Sequence, residues 1–332
     1  MRIGVVGSGK IVAECLPVLK SIESISCVAI CAREGSRDRA EALARAQGIG
    51  AVYTDYAEFL RDSDIDLVYL GIVNSQHYAY ALGALEAGKG VICEKPFTST
   101  YRELEELALV ARRKGLFLFE AITTLYFPNF IYLGKQIGRL GEIKLVQCNY
   151  SQYSSRYDRY LAGEVLPAFD PELSGGALYD INVYNVHFVT ALFGRPEAVS
   201  YAANRGANGI DTSGALLMRY PGFSALCCGA KDSESPGYAV VQGSKGYVEL
   251  VGASNAALAV RSRIGGEAES VNLQAGVHRM RYEFEAMADL FSRRDLARCY
   301  GNLDHSLEVM DVLTRARADA RIVFAADGAR WP

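Results

Sequence analysis

Four apolar residues, Ile3 to Val6, run into Gly7-Ser8-Gly9 and then into Ile11 to Leu19, where apolar positions recur at helical spacing. A short buried strand that turns through glycines into a helix is half of a βαβ unit, and such a strand needs parallel neighbours to cover it. The alternation continues downstream. Cys27 to Cys31, Leu67 to Ile72, Val91 to Cys93 and Leu116 to Phe119 read as further strands. Arg37 to Gln47, Tyr78 to Ala87 and Tyr101 to Lys114 read as helices, the last opened by a Thr100/Glu103 capping box. The pattern predicts an α/β Rossmann domain, a parallel doubly wound sheet over residues 1–121.

After Ala121 the pattern changes. Leu145 to Tyr150, Val199 to Ala203, Gly214 to Tyr220, Ser224 to Gly229, Tyr238 to Gln242, Tyr247 to Val251 and Leu258 to Ile264 follow one another as strands. Sequential strands joined by turns imply an open, mostly antiparallel sheet. Gly243-Ser244-Lys245-Gly246 reads as a hairpin turn between two of them. Helical spacing returns near Tyr179 to Phe193, Met280 to Phe291 and Ser306 to Ala318. Residues 122–332 are expected to form an α+β domain.

Composition narrows the function classes. A net charge of -3 and the lack of a Lys/Arg-rich run disfavour nucleic acid as the partner. Leu67 to Leu85 matches a membrane span in length, but Asn74, Ser75, Gln76 and His77 in its middle would be costly in hydrocarbon. Met1 to Val6 is too short for the apolar core of a signal peptide, and eight scattered cysteines suit a reducing compartment, so a cytoplasmic setting is expected. His77, His187, His278 and His305 have no metal-ligand spacing, and no metal is expected.

Gly7, Ser8, Gly9, Lys10 and Ile11 stand where a strand opens into a helix, the context in which backbone amides and the helix dipole receive a pyrophosphate. Val12 occupies the third fingerprint position, where glycine or alanine is usual, and a plain βα turn is the competing reading. At the end of the second strand Ala32 replaces the acid that binds the ribose of NAD. Arg33, Ser36 and Arg37 offer charge-assisted bonds to the extra phosphate of NADP. NADP is expected, with NAD as the alternative; Glu34 is the dissenting residue.

Glu94-Lys95-Pro96 ends the strand at Val91 to Cys93, and ligands of an open parallel sheet bind outside the carboxyl ends of its strands. Lys95 is therefore a candidate to stabilise an alkoxide. Asp180 and Tyr184, four residues apart, share a helix face, and a tyrosine near a cation gives and retrieves its proton more easily. His187 competes with Tyr184 for that role. Arg156, Tyr157 and Tyr160 are candidate pocket residues, with a surface loop as the alternative.

These residues together resemble the glucose-fructose oxidoreductase, inositol dehydrogenase and rhizopine-catabolism (Gfo/Idh/MocA) family. The resemblance runs through Gly7 to Ile11, Asn74-Ser75-Gln76-His77, Glu94-Lys95-Pro96, Glu120-Ala121, Gly141-Glu142-Ile143 and Gly175 to Asp180. It implies that Lys95 is catalytic with Glu94 and Pro96 positioning it, that Asn74 and His77 contact the nicotinamide side, and that the second domain makes a homodimer or a dimer of dimers. Many members carry histidine where this chain has Tyr184, as the glucose-fructose oxidoreductase and dimeric dihydrodiol dehydrogenase branches do not. The expected activity is interconversion of hydroxyl and carbonyl on a sugar, polyol or dihydrodiol-like molecule. A dinucleotide-binding sensor without chemistry is the rival.

Overall fold

The computed structural model describes residues 1–274 and 276–328. The chain gathers into two compact units, one of Met1–Ala121 with His278–Ser306, the other of Ile122–Val277 with Leu307–Pro332.

In the first unit β1 (Arg2–Val6), α1 (Lys10–Lys20), β2 (Ser26–Cys31), α2 (Arg37–Gln47), β3 (Ala51–Tyr53) and α3 (Tyr56–Arg61) are followed by β4 (Leu67–Leu70), α4 (His77–Glu86), β5 (Gly90–Glu94), α5 (Tyr101–Lys114) and β6 (Leu118–Ala121). The six strands are all parallel in the order β3-β2-β1-β4-β5-β6, with the reversal of winding between β1 and β4. That reversal leaves the crevice in which dinucleotides bind at the carboxyl ends. β4 and β5 are buried throughout, which is why both read as unbroken apolar runs. The capping box at Thr100 forms as expected, with Thr100 Oγ1 accepting from the Glu103 amide and the Glu103 carboxylate accepting from the Thr100 amide.

The second unit holds α6 (Pro128–Gln136), β7 (Ile143–Ser151), α7 (Tyr157–Leu161), a π-helical turn at Leu178–Asn182 and α8 (Val183–Phe193). Then come β8 (Ala198–Arg205), β9 (Asp211–Tyr220), β10 (Phe223–Ala230), β11 (Tyr238–Gly243), β12 (Gly246–Val251), β13 (Ala259–Ile264) and β14 (Glu267–Val271). Their sheet runs β14-β13-β12-β11-β7-β10-β9-β8, and β7 with β10 is its one parallel pair. Ser244 and Lys245 make the two-residue hairpin turn between the paired Gly243 and Gly246.

A single boundary after residue 121 does not describe His278–Ser306, which returns to the first unit. The reason is the apolar face of α9 (Arg281–Ser292). Phe284 on that face is fully buried with its ring 5.9 Å from that of Tyr69, a burial that contributes about 1.5–3 kcal/mol. α10 (Leu296–Asp319) begins ten residues before the helix expected from Ser306. Its early residues serve the first unit: Asp304 pairs with Arg112 at 2.6 Å, and Ser306 donates to Glu120 at 2.6 Å. Among the described residues no helix is long and apolar enough to cross a membrane, and no group of three or more metal-ligating side chains occurs.

Candidate active site

The glycine turn of the first unit joins β1 to α1. Gly7 has φ +112°, and a Cβ there would lie 2.4 Å from the Gly71 carbonyl oxygen, so no other residue fits. Gly9 caps α1 without a side-chain bond, and no atom lies within 4 Å of where its Cβ would stand. The first amides of α1, from Lys10 and Ile11 on, have no carbonyl acceptor within their own helix. Val12 is compensated from another strand. A Cβ on Gly71, just past β4, would meet Val12 Cγ2 at 2.6 Å, so the bulk gained at one position is removed at the other.

At the end of β2, Ala32 is buried while Arg33 and Arg37 are exposed. Arg33 Nε reaches Ser36 Oγ at 3.4 Å, and Arg37 pairs with Glu34 at 3.5 Å and Glu41 at 3.2 Å. Bonds from Thr54 and Arg37 hold the exposed Glu34 carboxyl below its usual range. Glu34 thus already belongs to an arginine, and its negative charge is offset locally.

Lys95 follows β5 and is half-buried, and its bond to Pro96 is cis. Glu94 beside it is 8% exposed and accepts from Tyr69 at 2.8 Å. Burial pushes the Glu94 carboxyl up, against the Tyr69 bond and the charges of Lys95 and Arg279. Asn74 opens a short 3-10 turn after β4 and is half-buried. His77 stands at the start of α4. It has no exposed surface, and its ring lies between two carbonyls, Nδ1 at 2.9 Å from Pro96 O and Nε2 at 3.3 Å from Ile72 O. Burial pushes its pKa down, so the neutral ring carries one N–H, and the shorter contact assigns it to Nδ1. His77 ties the turn after β4 to the turn that carries Lys95.

In the second unit the π-helical turn at Leu178–Asn182 carries Asp180, and Tyr184 lies on the first turn of α8. π turns widen the helix and occur often at functional sites. This one is fastened from several strands. Asp211, 1% exposed, accepts from the Leu178 amide at 2.6 Å and from Tyr201 Oη at 2.8 Å. Gly176, with φ +101°, leaves room for that carboxylate, which would lie 2.1 Å from a Cβ. Asn182 and Asn185 donate at 2.9 Å to the carbonyls of Cys227 and Cys228 on β10, and Ser254 donates to Asn185 at 2.7 Å. Tyr184 is 8% exposed with its ring edge-on to Tyr150 at 5.9 Å, whereas His187 has no exposed surface.

Asp180 has a partner that sequence reasoning missed. Lys231, the residue after β10, is 1% exposed, with Nζ 2.8 Å from Asp180 Oδ2 and 4.3 Å from the centre of the Phe169 ring. Arg156 is exposed at the start of α7. Tyr157 and Tyr160 stand with Phe169 in an aromatic group, ring centres 5.0–6.0 Å apart.

Comparison with known proteins gives the family. Residues 1–121 match the model of an oxidoreductase family with an NAD-binding Rossmann fold, GFO_IDH_MocA, and residues 136–249 match the GFO/IDH/MocA C-terminal domain. Over 330 residues the chain is 32% identical to scyllo-inositol 2-dehydrogenase (NADP(+)) IolU of Bacillus subtilis, covering 99% of this chain and 100% of that one. The chain belongs to the Gfo/Idh/MocA family. It is therefore a nicotinamide-dependent oxidoreductase, with the Rossmann domain and mostly antiparallel sheet that the motifs imply. A second relative, rabbit (Oryctolagus cuniculus) trans-1,2-dihydrobenzene-1,2-diol dehydrogenase, is 33% identical over 255 residues, 74% of each chain. Among solved structures, the 3-ketoreductase KijD10 from Actinomadura kijaniata, in complex with NADP and TDP-benzene, has the same fold. Its TM-score is 0.83 at 24% identity, over 96% of this chain and 97% of that one.

Proposed function

We propose that this member of the family interconverts a secondary hydroxyl and a carbonyl on a cyclic polyol, sugar or dihydrodiol, with NADP preferred over NAD. The observation that carries the reading is the Asp180–Tyr184 segment, in which a carboxylate held by Lys231 is followed four residues later by a tyrosine just inside the surface. Relatives that act on scyllo-inositol with NADP(+) and on trans-1,2-dihydrobenzene-1,2-diol support the substrate class. The residues fit a dinucleotide: Gly9 and the open start of α1 would receive the pyrophosphate, and Arg33, Ser36 and Arg37 would bind the additional phosphate. When bound, the nicotinamide supplies the hydride acceptor or donor.

In this reading Tyr184 exchanges the proton of the substrate hydroxyl, taking it on oxidation and returning it on reduction. Lys95 supplies the positive charge that stabilises the substrate oxygen as that proton moves. Asp180 orients the substrate through a second hydroxyl. His77 acts as a brace for the Lys95 turn rather than as a cofactor contact, because its ring is enclosed. Burial also removes His187 from competition for the proton role. Arg156 and Tyr157 line the substrate side, and Asn74 the nicotinamide side.

The second unit is also assigned a homodimer or a dimer of dimers through the outer face of its sheet, where Leu217 and Tyr247 remain 45% and 40% exposed; light scattering that finds a monomer at micromolar concentration contradicts this. A cytoplasmic setting accords with eight unpaired cysteines. The test of the reaction is nicotinamide absorbance with NADP+ or NAD+ against scyllo-inositol, other cyclic polyols, aldoses and trans-1,2-dihydrobenzene-1,2-diol. Turnover is expected with NADP+ and at least one vicinal diol. Tight NADP+ binding without turnover on any of them marks a sensor.

A further inference from the structure

A lysine is seldom buried completely, and when it is, an opposite charge and well-placed acceptors must compensate for its lost hydration. Lys231 meets this condition at a place that matters for the reaction. Its Nζ donates to Asp180 Oδ2 and to the Ala168 carbonyl and lies against the Phe169 ring. Its backbone is fixed as well: the Lys231 amide donates to Thr212 O at 2.8 Å, and its carbonyl accepts from Ser154 at 2.9 Å. The ammonium cannot swing away without giving up its bonds to Asp180 and Ala168 and its contact with the Phe169 ring.

The two ends of the ion pair differ in exposure. The Lys231 side chain is 2% exposed and that of Asp180 is 38% exposed. One carboxylate oxygen is therefore anchored to the interior while the group as a whole still faces solvent. β10, which delivers Lys231, is also the strand whose carbonyls hold Asn182 at the end of the turn and Asn185 just beyond it. Turn and ammonium are registered against one strand, so the position of Asp180 is over-determined.

We propose that Lys231 is a positioning residue for the oxidoreductase reaction, holding the Asp180 carboxylate in the orientation in which it receives a substrate hydroxyl. The inference rests on the reading that Asp180 orients the substrate. Lys231 touches neither substrate nor cofactor in this role; it acts through Asp180, and its removal takes the buried ammonium away from Asp180 Oδ2 while leaving the carboxylate in place.

The test is a double-mutant cycle on the full chain, with NADP+ and the vicinal diol that turns over fastest in the panel above, scyllo-inositol being the first probe. Lys231→Met removes the charge with similar length and suits the apolar Phe169 wall. Lys231→Gln keeps a donor and guards against a folding failure of the first variant. Lys231→Met is expected to lower kcat/KM about tenfold to a hundredfold, the loss typical of a misplaced group, with NADP+ affinity unchanged and Lys231→Gln intermediate. In an Asp180→Asn background both substitutions are expected to change kcat/KM less than about twofold, since coupled residues are non-additive.

Equal losses in both backgrounds overturn the proposal, because Lys231 then acts on structure and not through Asp180. No loss from either Lys231 variant, while Asp180→Asn alone impairs turnover, overturns the proposal and leaves the reading of Asp180 intact. An Asp180→Asn enzyme as active as the parent, or no turnover in the whole panel, removes that reading and the inference with it.

Discussion

The two units position their reactive groups by opposite means. In the first, Lys95 is presented by the end of a buried parallel strand, flanked by Glu94 and Pro96, with His77 from the turn after β4 bonded to the Pro96 carbonyl. In the second, Asp180 sits on a local irregularity of a helix that is fixed from far along the chain, by Asp211 on β9, two asparagine bonds to β10, and Lys231. A strand end is a fixed place in a fold, so function can be attached to it with short-range signals. A π turn has no such default, and long-range polar contacts must specify it.

The largest expected effect falls on the second unit. Tyr184→Phe removes only the phenolic oxygen from a side chain whose ring otherwise keeps its contact with Tyr150. It is expected to lower kcat about 10²- to 10⁴-fold, the range for a general acid or base, with thermal stability unchanged. Steady-state kinetics and a melting curve check this, and a loss below fivefold would move the proton role to another group.

Gly71→Ala addresses the first unit. The new Cβ meets Val12 Cγ2, and overpacking of this kind costs about 1–3 kcal/mol. Adding Val12→Ala is expected to recover most of that loss in denaturant unfolding. If the double variant is no more stable than Gly71→Ala, the proposed exchange of bulk between the two positions is wrong.

Charge at the end of β2 has a smaller effect. Replacing both Arg33 and Arg37 by alanine is expected to reduce the preference for NADP+ over NAD+ about tenfold or more, each tenfold being about 1.4 kcal/mol. The ratio of kcat/KM values for the two cofactors measures it; an unchanged ratio places the phosphate contacts elsewhere.

The smallest effect concerns pH. Glu283 on α9 is 1% exposed, its Oε2 has no hydrogen-bond partner among the described residues, and burial, with the nearby Glu94, pushes its carboxyl well above the usual range. Because the folded chain then holds this proton more tightly than the unfolded chain, the associated stability is present in acid and is lost as pH rises through the raised value. Glu283→Gln is expected to flatten that decline and to gain melting temperature relative to the parent above neutral pH. A parallel pair of Tm-pH curves contradicts it.

What the sequence made legible follows the same division. The parallel strands, the glycine turn and Lys95 announce themselves through apolar runs and their ends. β3 and α3 escape notice because they are three and six residues long, and β14 because four of its five residues are exposed and mostly polar. The return of His278–Ser306 to the first unit depends on which core Phe284 enters, which periodicity does not encode. The motif marks His77 as a cofactor contact, and the burial behind the bracing role proposed above is visible only in three dimensions. Lys231 follows Gly229 and Ala230 and precedes Asp232, a stretch that reads as a solvated turn, while the Ala168 carbonyl it binds is 63 residues away. The motif names Asp180; what holds it is visible only in three dimensions.

The central claim, that this chain performs hydride chemistry with Lys95 stabilising the substrate oxygen, is tested most directly by Lys95→Met. NADP+ binding and turnover of the fastest diol should be measured on the same preparation. Near-parental NADP+ affinity is expected with kcat reduced about 10²- to 10³-fold, the loss seen when one stabilising group is removed from a developing oxyanion. Undiminished turnover with NADP+ bound as tightly as before would contradict it.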